Sequence, residues 1–174
     1  QLASTTASAN IGTITPASIT AVTGIAANNK TYDASTAATI NTGAAGFTGI
    51  IGADVLNVAT ASGNFSDKNV GTGKTVNISG IALGGADAGN YTLTMPTATA
   101  VANITPASLT VNGQTASNKV YDATASATLA GGTLSGVLGS DVVSLMAGTG
   151  SFSDKNVGNA KAVTVAGTGL SGAD

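Results

Sequence analysis

The feature that most constrains this chain is that it is written twice. Residues 14–18 read ITPAS and so do residues 104–108, and NKTYDAST at 29–36 answers NKVYDATA at 118–125. GADVLNVATASGNFSDKNVG at 52–71 answers GSDVVSLMAGTGSFSDKNVG at 139–158, with eleven of twenty positions identical. The charges follow the same register. Lys30, Lys68 and Lys74 match Lys119, Lys155 and Lys161, while Asp33, Asp54, Asp67 and Asp87 match Asp122, Asp141, Asp154 and Asp174. A spacing near 90 residues is too long for the roughly 20–50-residue coils of a solenoid, and it suits a domain with its own core. Any fold must therefore be one that a unit of this size can close, twice.

Those six Lys and eight Asp are the whole charge inventory, because Arg, Glu, His, Cys and Trp are absent. A net charge of −2 without a basic cluster gives nothing to displace counterions from a phosphate backbone, so nucleic acid is not an expected partner. Without Cys there are no disulfides or thiolate sites, and without His the commonest general base and transition-metal ligand are gone. Hydrophobic residues still make up 43%, but aromatics only 3%. A core built largely of Ala and Val must be thin, as between two sheets. No apolar run is long enough to span a bilayer, so membrane insertion is not expected, and the opening QLASTTASAN lacks the charged and apolar regions of a signal peptide.

Within each copy the apolar residues alternate. Val76 and Ile78 stand between Thr75, Asn77 and Ser79, Val163 and Val165 occupy the matching places, and Tyr91, Leu93 and Met95 alternate with Thr92 and Thr94. Alternation rich in Val and Thr, punctuated by Gly and Asn every 8–12 residues or so, predicts half-buried strands of an antiparallel sandwich and no helix. The expected fold is all-β: tandem immunoglobulin-like antiparallel sandwiches, the second without its final strand in this chain. Residues 1–15 resemble the end of the first copy, QLASTTASANIGTITP beside TLTMPTATAVANITP, and are expected to be the last strand of a preceding repeat or a donor strand. Repeat 1 then runs over 16–105 and an incomplete repeat 2 over 106–174. That phase suggests a window on a longer array, in which the terminal strand of one chain completes the open sandwich of another.

The ordered series ITPA, N-K-x-Y-D-A, G-x-D-V, F-S-D-K-N-V-G and G-A-D-A-G-N-Y resembles the bacterial immunoglobulin-like repeats known as MBG and YDG domains. The resemblance covers essentially the whole chain. One departure is that the tripeptides Tyr32-Asp33-Ala34 and Tyr121-Asp122-Ala123 replace Tyr-Asp-Gly, so a tight glycine turn is not expected there. Such repeats recur in filamentous-haemagglutinin-like exoproteins and large surface adhesins. The resemblance implies a stalk on the cell surface or in an extracellular fibre, with neighbouring identical repeats as partners and no enzymatic site.

Several residues mark the repeat and could be read as a site. Asp67, Lys68 and Asn69, with Asp154, Lys155 and Asn156, could hold a cation or ligand; the competing reading is a polar turn in which Gly71 or Gly158 supplies a permissive backbone angle. Calcium is the one cofactor considered. It needs about six to eight oxygens, so Asp33, Asp54, Asp67 and Asp87 would have to converge from separate loops. Tyr32, Tyr121, Tyr91, Phe65 and Phe152 are expected to anchor the core, the tyrosines with their hydroxyls hydrogen-bonded. A Lys–Asn isopeptide bond would need a buried acid beside both groups, and no spacing establishes one. The sequons at Asn64, Asn77, Asn90 and Asn103 follow from an Asn- and Thr-rich composition.

Two functions therefore compete. One is a structural spacer of an adhesin or fibre. The other is a module that itself binds glycan, a host surface or matrix protein, or ice through a Thr-rich face, against which TIT, TLT and TAT occur only irregularly. No residue pair provides a nucleophile with a base, and an enzyme is not expected.

Overall fold

The computed structural model describes residues 12–173. They form two compact units: the first takes the chain up to Lys30 together with Thr36–Asp67 and Gly71–Ile104, and the second takes Thr31–Ser35, Lys68–Val70 and the chain from Thr105 onward. The expected terminal strand at 1–15 lies outside the described residues as far as residue 11, and so does Asp174; residues 12–15 form no strand. Among the described residues the fold is all-β apart from one turn of 3-10 helix at Ala88–Asn90.

In the first unit a five-stranded sheet is ordered Lys30–Thr31, Ala98–Thr105, Gly71–Gly84, Asn57–Phe65 and Ala37–Ala38. Its central strand, Gly71–Gly84, is antiparallel to both long neighbours, with Val76 opposite Phe65 on one side and Ala100 on the other. Its inward positions are taken by Val76, Ile78 and Ile81, because branched side chains pack well on a pleated surface. The alternation carries Val76 and Ile78 inward, but the next buried residue is Ile81. The phase changes because Ser79 pairs with Ser62 and Ala82 with Thr60, which leaves one extra residue on this strand. Gly80 occupies that bulge with φ 65°, a left-handed angle that favours glycine.

Shorter pairs complete the unit. Ala21–Thr23 is antiparallel to Gly46–Thr48, and Ala26–Ala27 to Ile40–Asn41. Ala17–Ile19 pairs in parallel with Tyr91–Leu93, a departure from the expected antiparallel arrangement. The expected alternation also stops early there, since the strand ends at Leu93 and Met95 is 55% exposed. The buried core comprises Ile19, Val22 and Ile25 from the early strands, Phe65, Val76, Ile78 and Ile81 from the sheet's centre, and Tyr91, Ala102 and Ile104 from the last two strands.

The second unit repeats these pairings. Thr110–Ala116 is antiparallel to Leu129–Ser135, with Thr110 opposite Ser135 as Ala21 is opposite Thr48. Ser126–Ala127, Thr149–Phe152 and Val163–Ala166 form a three-stranded sheet, and Val143–Met146 pairs with Gly169–Gly172. Gly167, the counterpart of Gly80, has φ 70°, and here the strand is interrupted rather than bulged. In this unit Ala107–Leu109 forms no strand, and no residue from 105 to 173 is buried as a whole.

Candidate functional site

Each heptapeptide forms the loop that follows a strand ending in Phe65 or Phe152. Phe65 donates its backbone N–H to Thr36 and Ser66 to Thr75; Phe152 and Ser153 do the same to Ala125 and Ala162. The Lys74 amine donates to Asp67 Oδ1 at 2.6 Å, closing the first loop. In the second, the Lys161 amine bonds the Asp154 carboxylate and donates to the Asn156 carbonyl at 2.7 Å, while Asp154 also accepts the Asn156 N–H at 2.7 Å. The Lys161 ammonium first, and the Asn156 N–H second, hold the Asp154 carboxyl below the usual carboxylate range. These are turn bonds. The permissive angle is not at Gly71 or Gly158, which lack positive φ; it falls at Gly73, φ 60°, and at its counterpart Ala160, φ 51°.

The Tyr-Asp-Ala segments are turns of the same construction. Asp33 Oδ1 accepts the Ser35 N–H and hydroxyl, both at 2.9 Å, and Asp122 Oδ1 accepts the Thr124 N–H at 2.9 Å and hydroxyl at 2.8 Å. The Lys119 amine adds a 2.8 Å bond to Asp122 and lies 5.9 Å from the Phe152 ring centroid. Lys119 chiefly, then Thr124, lower the Asp122 carboxyl to about 2. Lys30 lies 5.5 Å from the Phe65 centroid and donates to the Ala37 carbonyl at 3.0 Å. Ala34 and Ala123 both adopt left-handed backbone, φ 62° and 65°. The tight turn expected to be lost with its glycine is therefore kept, with alanine bearing the strain.

Three further groups converge within the second unit. The Tyr32 hydroxyl donates to Asp141 Oδ2 at 2.6 Å, the Lys68 amine donates to Asp141 Oδ1 at 2.6 Å, and the same amine lies 5.8 Å from the Tyr32 ring centroid. The Asp141 side chain is only 4% exposed. Lys68 first, and Tyr32 next, hold its carboxyl below the usual range, and the bond to that carboxylate raises the Tyr32 phenol. Beside the cluster is a cavity of about 480 Å³ lined by Tyr32, Val70, Pro106, Leu109, Leu138 and Val143 among others. The repeat motifs gave no hint of this triad, since its members lie 73 and 109 residues apart in the chain.

Asp54, the counterpart of Asp141, sits differently. Its Oδ2 accepts the Tyr91 hydroxyl at 2.7 Å, and Tyr91 in turn accepts the Ile51 N–H at 2.9 Å. That carboxylate, before burial, raises the Tyr91 phenol. Asp87 Oδ2 accepts the Val55 N–H at 2.8 Å. The four calcium candidates thus have separate partners, and among the described residues no three acidic side chains come together as ligands. The aromatic anchors divide as well: Phe65 and Tyr91 are buried and Tyr32 and Phe152 half-buried, whereas Tyr121 is 57% exposed. Tyr121 corrects the expectation of a core anchor, because more than half of it faces solvent, and its hydroxyl has no partner among the described residues. The carboxylates paired with Lys74, Lys119 and Lys161 are about half exposed, unlike the buried acid that isopeptide chemistry needs.

The arrangement positions and fastens chain. A family model described as the YDG domain matches residues 15–100 and, a second time, residues 105–174. No curated protein and no solved structure matches the chain.

Proposed function

Because the chain belongs to the YDG domain family, in two consecutive copies, we propose that it is a structural spacer of a secreted bacterial adhesin or extracellular fibre. Such a module holds a binding region away from the cell surface, and its partners are further copies of itself. The supporting observation is that in both copies lysine ammonium groups are used to close loops of the chain's own backbone. Lys74 and Lys161 tie the heptapeptide loops, and Lys119 ties the Tyr-Asp-Ala turn.

Head-to-tail assembly by strand complementation is part of this reading. In the second unit Val165 is 36% and Leu170 55% exposed, whereas Val76 and Ile78 in the first unit are closed to solvent. A strand added from another copy would cover that apolar face, and residues 1–13 have the sequence for it. Electron microscopy of the concentrated protein tests this. Filaments with an axial repeat of one or two domain lengths are expected, and deletion of residues 1–13 is expected to abolish them. Isolated particles from both proteins would overturn assembly.

A further inference from the structure

The lysines can be accounted for one by one. Lys74, Lys119 and Lys161 pair with Asp67, Asp122 and Asp154, Lys68 pairs with Asp141, and Lys30 bonds the Ala37 carbonyl. Lys155 has no hydrogen bond or ion pair among the described residues. Its counterpart is Lys68, whose carboxylate partner is Asp141, whose counterpart is Asp54. Asp54 has no cation among the described residues, and Tyr91 occupies only its Oδ2. A carboxylate has lone pairs for about four hydrogen bonds, so Oδ1 remains able to accept. Tyr121, the counterpart of Tyr32, likewise has an unpartnered hydroxyl among the described residues. The Lys155 amine, the Tyr121 hydroxyl and the open oxygen of Asp54 correspond to the groups that meet in the cluster of Lys68, Tyr32 and Asp141.

The surrounding apolar residues show the same division. Val70 is 50% exposed and its counterpart Val157 is 89% exposed; Leu138 is half-buried and its counterpart Ile51 is 61% exposed. Tyr121, Lys155, Asn156 and Val157 line an open cavity of about 440 Å³, in the position that Tyr32, Asn69 and Val70 hold beside Asp141.

We propose that a second copy of this chain docks here, seating its Asp54 carboxylate on the Tyr121 hydroxyl and the Lys155 amine and its Ile50 and Ile51 against Val157. This deepens the head-to-tail reading above and rests on it. The contact uses different surfaces on the two partners, so each added chain presents a fresh site and the association does not close on itself. Sequence continuity agrees with it. Residues 98–104 lead directly into the segment that carries Asp141, and residues 1–13, which resemble them, lead into the segment that carries Asp54.

Sedimentation equilibrium on the intact chain, with variants Asp54→Asn and Tyr121→Ala/Lys155→Ala, tests the docking. The wild type is expected to associate increasingly with concentration, and each variant alone to remain monomeric. Mixed in equal amounts, the two variants retain one intact contact between them and are expected to form dimers and nothing larger. Since Asp54 also accepts the Tyr91 bond, its variant could loosen the first unit. The Tyr121/Lys155 variant removes no bond of the fold, and its melting curve is expected to match the wild type. Wild-type protein that is monomeric up to millimolar concentration, or Tyr121/Lys155 variant that associates like the wild type, overturns the proposal. If deletion of residues 1–13 abolishes association while the Tyr121/Lys155 variant does not, strand complementation stands and this docking fails.

Discussion

At the scale of single residues, the most exposed cost is at Ala34 and Ala123. A non-glycine residue in left-handed backbone loses roughly 1–2 kcal/mol, and glycine recovers that less its own unfolded-state entropy of about 0.5–1 kcal/mol. Ala34→Gly and Ala123→Gly are each expected to stabilise the protein by about 0.5–1 kcal/mol. The readout is the urea midpoint at unchanged slope. The carboxylates set a second expectation. Asp122 titrates at about 2 in the folded chain, and Asp141 and Asp154 are also lowered. Their contribution is complete above the unfolded carboxylate value near 4 and is lost as pH falls through the folded values. The melting temperature should therefore drop on acidification from about pH 4 to 2, and Asp122→Asn should flatten part of that slope. Tyr32 and Tyr91 are raised, so their contribution is complete below about pH 10 and is lost as pH rises through their folded values. A melt series above pH 10 should show that second decline.

At the scale of elements, the central strand Gly71–Gly84 carries the first unit. Ile78 is 1% exposed between two long strands, and Ile78→Ala is expected to cost about 2–5 kcal/mol. The counterpart of Ile78 is Val165, which is 36% exposed; Val165→Ala should cost under about 1 kcal/mol. Urea unfolding of both variants checks the contrast. The alternation of Val76 and Ile78 was legible because period two is the geometry of a strand and needs no tertiary knowledge. The inward turn of Ile81 was not, because Gly80 could be a bulge or a strand end until its neighbour's register is known, and the second copy breaks at that place. The parallel pairing of Ala17–Ile19 was hidden for a similar reason. Strand direction belongs to the pair, and a three-residue segment carries no mark of its partner.

At the scale of the whole molecule, the duplication made the two-copy organisation readable, since every charge recurs in the same order in both halves, which a single irregular domain would not give. Duplication also concealed the most informative difference. Tyr32 and Tyr121 read alike, yet one hydroxyl is bonded to Asp141 and the other is without a partner among the described residues. A partner 109 positions away leaves no local trace in the chain. The two copies are also unequal in burial. Amide exchange monitored by mass spectrometry should be slow in Asn57–Phe65 and Gly71–Gly84 and faster in Val143–Met146 and Gly169–Gly172, because residues without a closed core open more readily. Addition of a peptide with the sequence of residues 92–106 should slow exchange in the second set if the added strand fits there.

The lysine loops have one more consequence. Five of the six ammonium groups are tied to a carboxylate or carbonyl of this chain, and much of the remaining sequence is Thr, Ser, Asn and Gly. Such a surface presents hydroxyl and amide dipoles, whose field fades within the first layers of water. Dissolved ions screen separated charges over a Debye length and have little here to screen. Each unit would keep its dimensions from dilute fresh water to brine, where a polyelectrolyte would swell and shrink, and salt would act instead on the Asp54–Lys155 contact between copies.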